Sequence, residues 1–154
     1  MLSGMVRWGD FATAHPNLAE SGRRLLYVHG VGLGYLATLR KDGAPRVHPV
    51  CPVVHSEGLY VFVGKSPKLA DLRRDPRYAL HSFPMKERDD EFYVAGAGRP
   101  VEDDRECAEV RATYIAQGTT TTDDTLFELL IDRALHSSYG ERGSWPPVYT
   151  KWTG

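Results

Sequence analysis

The chain has 154 residues and a formal net charge of −1; 42% of its residues are hydrophobic and 25% are charged. This length suits one domain with a single core, and a nearly neutral chain attracts no polyanion in bulk, so nucleic acid is not an expected partner. No apolar run approaches a membrane span, and the first ten residues lack the apolar core of a signal peptide, so no membrane partner is expected either. Cys51 and Cys107 are typical of a reducing cytoplasm. We therefore expect one cytoplasmic domain over residues 1–154.

The first elements predicted are a helical segment and two strand hairpins. Residues 1–31 form the helical segment, and Pro16 with the leucines that follow it predicts a helix over 16–27. Three strands are predicted next, over residues 33–40, 45–55 and 59–63. Asp42-Gly43 and Glu57-Gly58 separate these strands. An Asp-Gly pair favours a two-residue hairpin turn because both of its positions can adopt positive φ.

A short helix follows the third strand and begins at a place suited to an anion. Ser66 is placed as its N-cap and Pro67 as its first residue. The helix is expected to end before Asp75-Pro76, because the residue before proline avoids the α region. The free N–H groups at its start, beside Lys68, favour binding of a phosphate.

The second half of the chain predicts two more strands, a helix and a segment with conflicting signals. The strands cover residues 78–83 and 91–101, and the helix covers 105–117, with Asp104 as cap and Gly118 after its end. Residues 126–139 contain good helix formers, yet their apolar residues also alternate as in a strand. Strands joined by local hairpins favour an antiparallel barrel, whose open edge needs covering, so we interpret this segment as a strand, with a helix as the alternative.

A candidate phosphate site centres on Arg46. A guanidinium group binds phosphate through two parallel hydrogen bonds. Arg46 and His48 share one face of the predicted strand, whereas Val47 and Pro49 share the other. If this strand lies along residues 59–63, its start comes close to Ser66 and Lys68, and the four groups converge on one phosphate. The simpler alternative is an ordinary turn with solvated basic side chains.

Six short segments together resemble the pyridoxamine 5′-phosphate oxidase-like family of flavin-binding split barrels. The resemblance covers residues 32–101 well and the last third loosely. The segments are LATL at 36–39, DG at 42–43, PRVHPV at 45–50, LYVF at 59–62, SPK at 66–68 and LRRDP at 72–76.

The resemblance implies a fold, an assembly and a cofactor. The fold is mainly β with flanking helices, a six-stranded antiparallel split β-barrel, and two copies form a homodimer with FMN at the interface. The function implied is an FMN-dependent oxidoreductase with a small-molecule substrate or electron donor. The positions that match the family's cofactor-binding motifs are Arg46, Val47, His48, Pro49, Phe62, Val63, Ser66 and Lys68. Strands 47–54 and 59–63 are apolar on both faces, which also favours burial against a second copy.

Departures from the family pattern leave the reaction open. Pro67-Lys68 stands where the true oxidases carry Arg-Lys, and the tail GSWPPVYTKWTG lacks their arginines, so oxidation of pyridoxamine phosphate is not expected. The alternatives are the deazaflavin coenzyme F-420, which shares the ribityl phosphate, and non-catalytic binding of flavin or haem. The charged tail of the deazaflavin needs a basic exit, for which the candidates are Lys65, Arg73, Arg74 and Arg77. Acidic residues dilute this patch, so FMN is preferred.

The sequence gives few signals for catalytic groups and for the position of the tail. No catalytic residue is assigned, although His48 is the one acid–base candidate by position. The six histidines lack metal-ligand spacing, so no metal is expected. Residues 140–154 are expected to pack on the barrel or on a partner, since aromatic residues in a polar tail need a contact. The alternative to simple packing is that Trp145 contacts the flavin bound by the partner subunit.

Overall fold

A computed structural model describes residues 2–121, 123–141 and 143–154. Its strands form one antiparallel sheet in the order β2-β1-β5-β6-β7-β4-β3, with β8 paired to β7. The elements of these described residues are α1 (Trp8–Ala14), α2 (Pro16–Leu26), β1 (Gly34–Leu39), β2 (Pro45–Val50), β3 (Val53–His55), β4 (Gly58–Val63), α3 (Pro67–Arg74), β5 (Arg77–Ser82), β6 (Glu91–Pro100), α4 (Asp104–Ala116), β7 (Thr125–Ser138) and β8 (Val148–Thr153). The predicted class, mainly β with flanking helices in a split-barrel arrangement, is confirmed. None of these helices combines the length and the apolar character that crossing a bilayer requires.

The two hairpin turns differ in detail from the prediction. In the first, Arg40 N donates to Ala44 O and Gly43 N donates to Arg40 O, so the loop has three residues. Only Gly43 in this loop has positive φ, at 83°, which is the pattern of a type I turn followed by a left-handed glycine. The second turn lies one residue earlier than predicted, at Ser56-Glu57, with Ser56 at φ 48°.

The strand predicted over residues 45–55 is two strands, and this break shapes the barrel. Pro52 has no N–H to donate and interrupts the ladder, so β2 pairs with β1 whereas β3 pairs with β4. β2 and β3 are the first and last strands in the sheet order, yet only Cys51 and Pro52 separate them in the chain. The sheet must therefore be strongly curved, so that its two end strands lie close together. The prediction that β2 runs along β4 is therefore wrong.

The segment predicted as a strand at 126–139 is confirmed, as β7. It pairs with β6 along most of its length, with a register shift between Ala95 and Gly96. Its other edge is shared by β4, by a single bridge from Val6 to Ile131, and by β8. The tail therefore adds a strand rather than only packing on the barrel, and β3 and β8 raise the predicted six strands to eight.

Helices cover both faces of the sheet. α1 and α2 pack on the main core, which includes Phe11, Leu25 and Phe92. α4 begins one residue earlier than predicted, because Asp103 rather than Asp104 caps it by accepting a hydrogen bond from Glu106 N at 2.7 Å. The apolar side chains of α4 cover the outer face of β4.

Candidate functional site

A buried carboxylate joins α3 to the β1–β2 hairpin. Asp71 is only 2% exposed, and its Oδ2 accepts hydrogen bonds from Thr38 Oγ1 at 3.0 Å and from Arg46 Nε at 2.7 Å. Its Oδ1 accepts a third from Arg74 at 3.0 Å. Burial raises the pKa of Asp71, but the hydrogen bonds from the two arginines and Thr38 outweigh it, so the pKa lies below its ordinary value. The carboxylate therefore stays ionised at neutral pH.

A cavity lies beside this carboxylate, between the β1–β2 loop and α3. We call it the basic cavity; its volume is about 570 Å³. Four cationic and two anionic side chains line it, which leaves an excess of two positive charges. A group with two negative charges, such as a phosphate monoester, matches that excess. The lining residues are Arg40, Lys41, Asp42, Arg46, Pro67, Ala70, Asp71 and Arg74.

The structure places Arg46 in the basic cavity and leaves Ser66 and Lys68 beside it. The Arg46 side chain contacts Asp71 of α3 from β2, which pairs with β1 and not with β4 as predicted. Ser66 holds the N-cap position of α3, but its hydroxyl donates to Gly64 O at 3.0 Å and accepts no capping hydrogen bond from a helix N–H. Lys68 is half-buried on the first turn of α3. The phosphate contacts of Ser66 and Lys68 stay predictions.

The other predicted residues of β2 follow the expected alternation. Val47 is 59% exposed and Pro49 is also exposed, on the outer face of the strand. His48 lies on the same face as Arg46. Its Nε2 is buried, and no group in the described part of the chain lies within hydrogen-bonding distance of it. His48 is thus the one histidine that combines a position near Arg46 with an unused ring nitrogen.

Phe62 and Val63 are not brought to the basic cavity. The Phe62 ring centroid lies 4.9 Å from that of Tyr114, and the Arg111 guanidinium lies 4.9 Å from it. Val63 is fully buried in the main core. Because both side chains are covered, only their backbone groups remain for a ligand. The apolar character of these positions, which supported the resemblance, serves packing in this structure.

The two tail tryptophans behave differently. Trp152 packs against Phe11, with ring centroids 5.4 Å apart, and against His15. Trp145 is 76% exposed and lies 6.4 Å from the Tyr139 ring. Trp152 therefore packs on the barrel, as expected of the tail, whereas Trp145 does not. The contact of Trp145 with a flavin stays a prediction.

Of the four residues predicted to form a basic exit, only Arg74 lines the basic cavity. Arg77 pairs with Asp75 at 2.6 Å, and Lys65 is exposed. Arg73 lines a separate, mostly apolar cavity of about 300 Å³ with Leu72 and Phe127.

Sequence reasoning did not assign Arg40, Lys41 and Asp71 to the site. Arg40 precedes the hairpin loop and Lys41 begins it, and a positive pair beside an Asp-Gly turn was the available signal. Asp71 sits between Leu69 and Leu72 on the buried face of α3, and an acidic residue there requires a cationic partner. Within the described ranges, no group of three or more histidine, cysteine or acidic side chains is placed to hold a metal ion.

Comparison with known proteins gives the family. The sequence profile described as Pyridoxamine 5′-phosphate oxidase matches residues 26–138. The chain belongs to the pyridoxamine 5′-phosphate oxidase-like family, as the short segments predicted. No curated protein matches the chain.

Solved structures share the fold at low sequence identity. A haem-binding protein from Mycobacterium smegmatis has a TM-score of 0.65 and 20% identity, covering 86% of this chain and 57% of its own. The haem storage protein HutZ from Vibrio cholerae has a TM-score of 0.59 and 17% identity, covering 90% and 93%. ChuZ from Campylobacter jejuni has a TM-score of 0.66 and 13% identity, covering 91% and 60%. The chain thus spans little more than half of the Mycobacterium protein, and identities this low show the fold alone.

Proposed function

We propose that the protein binds FMN, with the ribityl phosphate in the basic cavity. The observation that carries this proposal is the cluster of Arg40, Lys41, Arg46 and Arg74 around one cavity beside the start of α3. Arginine and lysine side chains there supply charge-assisted hydrogen bonds to a phosphate monoester. Ser66 and Lys68 flank Pro67, which lines the cavity, and they complete the phosphate site in this proposal.

Bound FMN would supply the redox chemistry, and the protein would hold and orient the flavin and surround it with charged and polar groups. The proposed activity is that of a flavin-dependent oxidoreductase acting on a small molecule. His48 is the proposed acid–base group, because its buried Nε2 has no partner among the described residues. The absence of the family's Arg-Lys pair at Pro67-Lys68 argues against pyridoxamine phosphate as the substrate.

The proposed assembly is a homodimer that buries the outer face of β1 and β2. Val47 and Pro49 project from β2 on this face, and Tyr35, opposite Pro49, stacks on Phe83 with ring centroids 4.3 Å apart. These exposed apolar groups form a continuous surface of the kind that a second copy covers. The outer face of β4, which the sequence also assigned to this interface, is instead covered by α4. In the dimer, Trp145 of one subunit is proposed to contact the flavin held by the other.

Two other ligands are supported by particular observations. Haem is the second candidate, because two proteins with this fold are described as haem-binding and haem storage proteins and His48 offers an unused ring nitrogen. The deazaflavin coenzyme F-420 is the third, because Arg40 and Lys41 extend positive charge beyond Arg46 toward the rim of the cavity.

Absorbance of the purified protein and ligand titrations test the proposal. We expect flavin bands, or after removal of flavin a tight titration with FMN and a weaker one with riboflavin, which lacks the phosphate. A Soret band on purification and tight binding of haemin, without any preference for FMN over riboflavin, would replace this function with haem binding.

A further inference from the structure

Asp71 is an anionic group inside a cavity that is otherwise suited to anions. A carboxylate repels a phosphate bound nearby, so a simple charge count assigns Asp71 an unfavourable effect on binding. Its contacts indicate a different role. It is nearly inaccessible to solvent and accepts hydrogen bonds from Thr38, Arg46 and Arg74.

The geometry of the Arg46 contact is the important detail. Asp71 Oδ2 receives the Nε–H of Arg46, and the Arg46 contacts made within the described part of the chain use Nε alone. A guanidinium group carries five N–H donors in one plane. With Nε held, the terminal nitrogens keep their donors for a ligand, and the plane of the group is fixed before the ligand arrives. A side chain that is already ordered loses less conformational entropy on binding.

We propose that Asp71 is a positioning residue for the phosphate of the ligand: it orients Arg46 and Arg74 toward the basic cavity, and this effect on binding exceeds its repulsion of the anion. The inference rests on the proposed phosphate site. Charge alone predicts that removing Asp71 tightens binding of a phosphate monoester. The positioning role predicts that removing it weakens this binding.

Asp42 provides a matched control. It is also a carboxylate that lines the basic cavity, but it is exposed, pairs with Arg40 at 3.3 Å and does not contact Arg46. Its Oδ1 accepts a hydrogen bond from Ala44 N at 3.1 Å, which an asparagine oxygen can also accept. Asp42→Asn and Asp71→Asn therefore remove the same charge from the same cavity, but only the second removes the carboxylate that contacts Arg46 and Arg74. The pair that Asp42→Asn removes, with Arg40, is exposed and contributes little.

The test compares FMN and riboflavin affinities of the two variants and the wild type by fluorescence quenching, on protein freed of flavin. For Asp71→Asn we expect about tenfold weaker FMN binding, the loss of roughly one charge-assisted hydrogen bond, with riboflavin affinity within about twofold of the wild type. Asp42→Asn also removes a negative charge from the cavity but leaves Arg46 and Arg74 in contact with Asp71, so it should bind FMN more tightly than the wild type. Arg46→Lys is a second variant; it keeps the charge but replaces the planar fork, in which Nε and the terminal nitrogens donate separately, with a single ammonium nitrogen, and it should show the same selective loss.

The possible outcomes separate the hypotheses. Unchanged or tighter FMN binding by Asp71→Asn would overturn the positioning role, and so would equal losses of FMN and riboflavin, which indicate general damage to the fold. If the wild type itself binds FMN no better than riboflavin, the phosphate site is wrong, and the positioning role is overturned with it.

Discussion

Arg46 and Asp71 form a hydrogen-bonded ion pair of 2.7 Å between β2, at one end of the sheet, and α3, which follows β4 near the other end. Asp71 also accepts a hydrogen bond from Thr38, so α3 is joined to both strands of the β1–β2 hairpin. The same pair stabilises the fold and places a cation at the basic cavity, so changes to it affect stability and binding together.

The first prediction concerns the lysine at the start of α3. Lys68→Ala should weaken FMN binding by about 1.5–3 kcal/mol, the contribution of a hydrogen bond to a charged group. Lys65→Ala should change it by less than about 0.5 kcal/mol, since Lys65 is an exposed surface lysine. FMN titration of both variants measures the difference, and equal affinities would mean that the phosphate does not contact Lys68. Lys41 is not a suitable control, because it lines the basic cavity.

The second prediction tests the proposed dimer. Val47→Glu places a charge in the exposed apolar face of β2 and should yield a monomer, whereas the wild type should show twice the chain mass of 17.2 kDa. Ile115→Glu is the control, because Ile115 is 55% exposed but lies on α4, away from that face. Light scattering at micromolar concentration measures both masses. A monomeric wild type, or a dimer that survives Val47→Glu, would contradict the proposed interface.

The third prediction uses the two tail tryptophans as a pair. Trp152→Ala removes the ring packed on Phe11 and should lower the free energy of unfolding by roughly 2–4 kcal/mol, at the low end of large-to-small core changes because Trp152 is only partly buried. Trp145→Ala should leave it within about 0.5 kcal/mol. Urea unfolding measures both. Comparable losses would show that Trp145 packs on the protein.

The fourth prediction concerns acid stability. The pKa of Asp71 is lower in the folded state than its ordinary value, although burial opposes the shift. The unfolded chain therefore takes up the proton first, and the stabilisation is fully present above the unfolded pKa of about 4. It is lost as the pH falls below that value through the lower folded pKa. The stability difference between the wild type and Asp71→Asn should thus be constant from pH 5 to 7 and shrink toward pH 2. A difference that does not change with pH would mean that the pKa of Asp71 is the same in the folded and unfolded states, and one that shrinks as the pH rises would mean that the folded pKa is raised.

The fifth prediction distinguishes FMN from the deazaflavin. Only Arg74 of the expected exit residues lines the basic cavity, so the additional charges of the deazaflavin tail meet chiefly Arg40 and Lys41. FMN should bind at least as tightly as the deazaflavin at 0.1 M salt, where the Debye length is about 10 Å. Competition at low and high salt measures this. Tighter deazaflavin binding that weakens steeply with salt would reverse the preference.

Local signals in the sequence predicted most elements well. Residues such as Pro67, Asp75-Pro76 and Gly118 begin and end helices through backbone constraints that act within a few positions. The strand at β7 was also correct, because an uncovered sheet edge outweighed helix propensity. The contacts that the sequence did not predict join partners distant in the chain. Neither the burial of Phe62 under α4 nor the contact between Asp71 and Arg46 has a local signature, since each depends on how the sheet curls.

The shared edge of β7 also determines where the two ends of the chain lie. Val6 bridges to Ile131, and Gly154 N donates to Asp132 O, so both ends are held by neighbouring residues of one strand. Gly154 also lies beside the backbone carbonyl of Gly4. A change that shifts β7 is therefore expected to loosen the segments around Val6 and Gly154 together, because both take backbone partners from this one strand.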